Sequence, residues 1–182
     1  MSWYCDVAPG HPVHGPYHDE EYGFPLEDDD RLLERLALEI NQAGLSWLTI
    51  LKRREALRRA YRRFEVARVA RFRGPDIARL MADASIIRNR RKIEAVVENA
   101  RRIRALEGSH GSFSAWLAAH HPRPRERWVD LFKATFVFTG PEITAEFLMS
   151  TGYLPGAHRE DCPVFARLIA LEPPWVQARA LR

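Results

Sequence analysis

The chain has 182 residues, 46% of them hydrophobic and 29% charged, with a formal net charge of +4 and a pI near 9.4. That length suits one domain able to bury roughly 70% of its unfolded surface, so a disulfide scaffold is not needed to complete the core. No apolar run approaches the ~18 residues that span a bilayer, and there is no repeat, low-complexity tract or signal-like start, so the expectation is a cytoplasmic protein.

The charge is uneven. Of 28 Lys and Arg, 18 lie between Lys52 and Arg104, while residues 19–34 hold eight acids. A face turned toward phosphates produces such a block through counterion release and steering; a set of solvated helix faces produces it equally well.

In chain order, residues 5–27 carry Pro9, Gly10, Pro12, Gly15, Pro16, Gly23 and Pro25, which predicts an ordered loop rather than regular helix. Asp28 to Asp30 offer N-caps for a helix with Leu32, Leu33, Leu36 and Ile40 on one stripe, ended by Gly44. Ser46 caps the next helix, whose apolar positions run from Trp47 through Ile50, Leu51 and Leu57 to Tyr61. Short helices are predicted over 66–72 and 76–82, the second introduced by Gly74-Pro75, and a longer one over about 91–106. Further helices fit 113–120, 126–135 and 141–150. Without a sustained period-two pattern the fold class is all-α, with eight to ten short helices.

Three groups of residues carry candidate chemistry. Cys5 and His18 near one end, with His158 and Cys162 near the other, form the Cys2His2 set of a closed tetrahedral zinc site, although two cysteines and two of seven histidines also fall together by chance. Glu39 lies close to a helix C-terminus, where a carboxylate is electrostatically disfavoured, and Trp47 opens the following helix, so the two can face one cavity across the turn. A solvated acid and a core tryptophan are the plainer reading. Between Phe136 and Ser150 the pattern reads as helix, tight glycine turn and second helix, with Gly140 expected to permit the turn and free N–H groups able to hold a phosphate oxygen. No lysine lies between Gly140 and Cys162 to serve as a Schiff-base nucleophile.

The segments Tyr17-His18-Asp19-Glu20-Glu21-Tyr22-Gly23, Leu38-Glu39 with Gln42-Ala43-Gly44-Leu45-Ser46-Trp47, and Asp83-Ala84-Ser85-Ile86-Ile87-Arg88-Asn89-Arg90 together resemble the 3-methyladenine DNA glycosylase I family over roughly residues 4–162. The resemblance implies a single helix-hairpin-helix glycosylase domain over 1–182: a zinc-binding loop at 5–27, the hairpin at 136–150 and a divergent tail at 163–182. It implies zinc bound by Cys5, His18, His158 and Cys162, and Glu39 as the acid that meets the base and acts in catalysis. Tyr17, Tyr22 and Trp47 would bind the base, Gly44 and Leu45 would enter the gap left by the flipped nucleotide, and Thr139 and Gly140 would meet phosphate. Val7 stands where the family has a tryptophan, leaving Trp3 or Tyr4 to supply that ring. The implied function is monofunctional excision of 3-methyladenine from alkylated double-stranded DNA, carried out by a monomer. The alternatives are a shifted lesion range, a lesion-binding module that does not excise, and a protein-binding helical domain with structural zinc.

Overall fold

Residues 4–180 are described by the computed structural model. They form twelve α-helices and one 3-10 turn: α1 (Tyr4–Val7), α2 (His14–Glu20), α3 (Asp29–Gln42), α4 (Trp47–Ala60), the turn Arg62–Phe64, α5 (Val66–Val69), α6 (Gly74–Ala82), α7 (Arg90–His110), α8 (Phe113–His120), α9 (Arg125–Thr135), α10 (Pro141–Ser150), α11 (Pro163–Ala170) and α12 (Pro174–Ala180). No strand occurs among the described residues, in keeping with the all-α expectation.

The axis of the molecule is α3. Every residue from Leu32 to Asn41 is buried, and the helix packs against α4, α7, α8 and α10. The run Asp28-Asp29-Asp30 does more than start it. The Asp28 carboxylate accepts from the Arg31 amide at 2.8 Å, which caps α3. Asp29 accepts from the Phe113 and Ser114 amides at 2.8 and 2.9 Å, and Asp30 from the Val66 amide at 2.7 Å. Three consecutive acids thus satisfy the free amides of three helices, tying α5 and α8 to the central one.

The proline-rich start contains helix after all. In α2, Pro16 stands at the third position, where a backbone N–H has no intrahelical acceptor, so its missing donor costs no hydrogen bond. Helix α7 runs past its expected end because Gly108 is carried inside it, and the stop is Gly111 at φ 85°. The tail beyond Cys162 forms α11 and α12; its buried Leu168 and Trp175, with the Trp175 amide donating to the Gly152 carbonyl at 3.2 Å, seat it on the body. These terminal helices account for the count exceeding ten.

Candidate active site

At the end of α3 the chain reverses through Ala43-Gly44-Leu45-Ser46, with Gly44 at φ 79°, and re-enters helix at Trp47, capped by the Ser46 hydroxyl accepting from the Thr49 amide at 3.2 Å. The buried Lys92 ammonium, delivered by the first turn of α7, donates to the carbonyls of Asn41 and Ala43 at 2.8 and 2.6 Å. It satisfies carbonyls that the helix end leaves free and places a cation where the helix dipole favours one. The reversal is therefore held from below, and Leu45 at its tip stays 39% exposed.

Beside this turn lies a cavity of about 580 Å³ lined by Tyr4, Tyr17, Tyr22, Glu39, Trp47 and Glu146, with Gln42, Glu142, Met149 and Gly156 completing its wall. Glu39 is buried, and among the described residues its carboxylate takes no hydrogen bond. Burial first, and then the nearby Glu146 carboxylate, push its pKa up to about 8, while Arg35 works in the opposite direction. The ring of Tyr17 meets that of Trp47 at 5.1 Å and 62°, and its other contacts include Tyr22 at 5.8 Å and the Arg35 guanidinium at 4.8 Å from the ring centre. The buried Tyr17 hydroxyl has no partner among the described residues. A polar atom left open in this way costs about 1–3 kcal/mol, which a ligand can recover.

Four expected base-contacting residues, Tyr17, Tyr22, Glu39 and Trp47, thus converge on one cavity. Val7 does not: it is 45% exposed and faces solvent. Tyr4, one helical turn earlier, is buried in the wall, its ring edge-on to Tyr22 at 5.5 Å and its hydroxyl 3.0 Å from His14 Nδ1. Trp3, the other candidate for that ring, lies outside the described residues. The α10 contribution was not anticipated. Glu142, Glu146 and Met149 sit at i, i+4 and i+7, the spacing of one helix face, and that periodicity was the available signal.

The two ends of the chain meet next to this wall. Ligand-type atoms of Cys5, His18, His158 and Cys162, all buried, lie within 4.8 Å of one another. Cys5 Sγ is 3.7 Å and Cys162 Sγ 3.6 Å from His158 Nδ1, and Cys162 Sγ is 3.8 Å from His18 Nε2. The remaining ring nitrogens are occupied: His18 Nδ1 lies 2.7 Å from the Asp19 carboxylate, and His158 Nε2 lies 2.7 Å from the Tyr22 carbonyl. Those contacts select the tautomers that turn a lone pair from each ring toward the sulfurs. Burial keeps the His158 ring neutral, as a metal ligand must be, and pushes the Cys162 thiol up.

The connection from α9 to α10 departs from its expected construction. Phe138, at φ 61°, takes the left-handed conformation, whereas Gly140 is an ordinary N-cap at φ −73°, ψ 176°. A Cβ at Gly140 would meet nothing within 4 Å, so the fold itself does not require glycine there. Thr139 is buried with its hydroxyl donating to the Phe132 and Phe136 carbonyls at 3.0 and 3.4 Å, so only its backbone is free to face a ligand. Among the described residues the amides of Thr139 and Gly140 make no hydrogen bond.

Residues 7–129 match the family model described as methyladenine glycosylase. The chain belongs to that family. A DNA-3-methyladenine glycosylase of Haemophilus influenzae is 35% identical over 182 residues, covering 90% of this chain and 98% of that protein. DNA-3-methyladenine glycosylase 1 of Escherichia coli K12 is 40% identical over 119 residues, 64% of each chain. Among solved structures, 3-methyladenine DNA glycosylase I from Staphylococcus aureus superposes with a TM-score of 0.78 at 36% identity, over 88% of this chain and 95% of that one. A variant of 3-methyladenine DNA glycosylase I solved in complex with 3-methyladenine gives the same TM-score and identity, over 88% and 96%. Within this methyladenine glycosylase the basic block is largely consumed internally: Arg54 and Arg58 pair with Glu34, Arg53 holds the carbonyls of residues 84–86, and Arg101 and Arg102 pair with Glu98. Arg88 and Arg91 remain exposed at the start of α7, flanking Arg90, which pairs with Glu94 at 3.4 Å, on the helix whose Lys92 supports the Leu45 turn.

Proposed function

We propose that the protein hydrolyses the N-glycosidic bond of 3-methyladenine in alkylated double-stranded DNA, leaving an abasic site. The observation that carries this reading is Glu39: a carboxylate buried without a hydrogen bond, facing an aromatic box that includes Trp47. Its raised pKa, about 8, favours the protonated form of Glu39 at neutral pH. Adenine methylated at N3 is cationic while it is still bonded to the sugar, so its arrival favours the carboxylate, and the Glu39 proton passes to solvent as the base enters. An indole face adds roughly 0.5–2 kcal/mol for the cation. The positive charge also makes the base a good leaving group, so the site need only select the flipped base and exclude the normal one. Glu39 recognises the base more than it activates water.

Leu45, exposed at the tip of a braced turn, fills the gap in the stack and offsets part of the few kcal/mol that flipping costs. Gly44 supplies the left-handed backbone for that tip. The free amides at Thr139 and Gly140, and the arginines at the start of α7, meet phosphates as sequence-independent contacts in a helix-hairpin-helix arrangement. The Cys2His2 cluster holds structural zinc. Zn–S of about 2.3 Å and Zn–N of about 2.0–2.1 Å at tetrahedral angles place S and N about 3.6 Å apart, close to the separations of 3.6–3.8 Å found here. With four protein ligands the ion would supply cross-linking and no chemistry to the base.

The test is release of free 3-methyladenine from alkylated duplex DNA by the wild type and by Glu39→Gln. Release by the wild type, reduced at least 100-fold in the variant, supports the reading. Binding of a lesion-containing duplex without release marks a lesion-binding module, and absence of both binding and release removes the glycosylase reading altogether.

A further inference from the structure

The cavity contains a second acid that nothing in the reading above uses. Glu146 lies on α10, across the cavity from Glu39 on α3, and its Oε2 accepts the Tyr22 hydroxyl at 3.1 Å. Among the described residues it has no basic partner within salt-bridge distance; Arg125, the cation nearest that end of α10, is engaged at 3.0 Å by Glu142 at the rim. Glu146 and Glu39 are close enough for the charge of one to disfavour that of the other. Two further lining residues carry polar groups without a hydrogen-bond partner among the described residues: Glu39, 4% exposed, and Tyr17, 2% exposed, at its hydroxyl. The acids therefore line a ligand-binding volume and are not a solvated cluster.

We propose that Glu146, positioned by Tyr22, is a second base-recognition carboxylate through which the cavity selects purines by their delocalised positive charge. The proposal rests on the cavity being the base pocket. Two carboxylates facing one low-dielectric space cannot both ionise while the occupant is neutral, so a neutral purine must leave at least one of them protonated. A cationic purine set between them removes that conflict and lets both ionise. The free energy gained depends on the ligand's charge and not on the position of its methyl group. Tyr22 takes one oxygen of Glu146 and leaves Oε1 to face the occupant. Selection against undamaged bases is then shared between α3 and α10, and the α10 share comes from a side chain near the middle of that helix.

The experiment uses two small probes that differ in fixed charge: 3,9-dimethyladeninium, cationic at every pH, and neutral 9-methyladenine, each titrated against the intact protein by its tryptophan fluorescence. Wild type, Glu146→Gln, Glu146→Asp, Tyr22→Phe and Glu39→Gln are compared, with circular dichroism and bound-metal content confirming the fold. The expected result is that Glu146→Gln lowers the ratio of cation affinity to neutral affinity about tenfold, Tyr22→Phe about threefold, and that Glu146→Asp restores part of the loss. A ratio unchanged in folded Glu146→Gln, with Glu39→Gln still lowering it, overturns the role of Glu146 and leaves the base pocket standing. If the wild type binds neither probe, both fall. If Glu146→Gln does not fold, Tyr22→Phe and Glu146→Asp decide, and an unchanged ratio in both overturns the proposal.

Discussion

The terminal Cys2His2 cluster and the cavity beside it are built from neighbouring residues and left in opposite states. Tyr4 precedes Cys5 and Tyr17 precedes His18, so that one residue of each pair faces the cavity and the next faces the cluster. Tyr22 belongs to both, with its ring in the cavity wall and its carbonyl on His158. In the cluster the outward nitrogens of both histidines have partners, whereas in the cavity Glu39 and the Tyr17 hydroxyl are open. A satisfied cluster fixes geometry, and an unsatisfied one stores binding energy for a ligand. The difference teaches how the first can serve as the mount for the second: α1 and α2 are short, and a metal held with residues 158–162 would fix Tyr4, Tyr17 and the adjoining Tyr22 against α3.

The comparison breaks most sharply if the mount is removed. Cys162→Ser, or chelation of the wild type, is expected to lower the melting temperature by on the order of 10 °C, since a structural metal contributes several kcal/mol and each kcal/mol is worth about 2–4 °C at this size. Binding of a free cationic purine should disappear with it, although none of the four cluster residues lines the cavity. A chelated protein that melts unchanged and still binds the purine would falsify the division of labour.

Next in size is the cost of keeping Glu39 unsatisfied. Its folded pKa of about 8 lies above the usual carboxylate value, so the folded state binds more protons than the unfolded one across that interval. Stability contributed by the protonated group is therefore present below the unfolded value and is lost as pH rises toward 8. Glu39→Gln removes the penalty: the variant should be more stable than the wild type at pH 8 by a few kcal/mol, at about 1.4 kcal/mol per unit of displacement, and the advantage should vanish near pH 4. Urea unfolding at the two pH values measures it. A stability gain accompanied by lost excision is the signature of a site kept open for function; equal stabilities at both values would mean that the carboxylate is already satisfied in solution.

What could be read from the chain follows the range of the interactions. The caps Asp28 and Ser46, the stripe of α3 and the helices 113–120 and 141–150 depend on neighbours three or four residues away, and they were legible. Helix α2 was not, because the proline that usually breaks a helix falls where the broken bond does not exist. Nor were the second and third duties of the aspartate run, whose partners are 36 and 84 residues distant. In the site, Glu39 and Trp47 stand out because an acid near a helix end calls for explanation, and the family resemblance supplied one. Glu146 did not, since its partner Tyr22 lies 124 residues away and its spacing from Glu142 and Met149 describes a face without saying what that face meets. Tyr4 lines the wall while Val7 faces solvent, through a register that α1 alone does not announce.

The smallest expected effect sharpens the comparison at a third place, the α9–α10 turn, where glycine answers no demand of the fold. At φ −73° and ψ 176° alanine is unstrained, and its methyl group would meet nothing within 4 Å. Gly140→Ala loses a little N-cap preference and gains a little from a less flexible unfolded chain; these terms are each within about 1 kcal/mol and opposed, so stability should change by less than ~0.5 kcal/mol. The added methyl projects from the backbone that carries the free amides, into the space a phosphate oxygen would occupy. Affinity for undamaged duplex should therefore fall a few-fold at low salt, with the gap narrowing as salt rises and phosphate contacts weaken in both proteins. Titrations at two ionic strengths read this directly. Equal affinity at both would leave the turn as a plain connector, and a loss of stability above 1 kcal/mol would assign the glycine to the fold rather than to DNA.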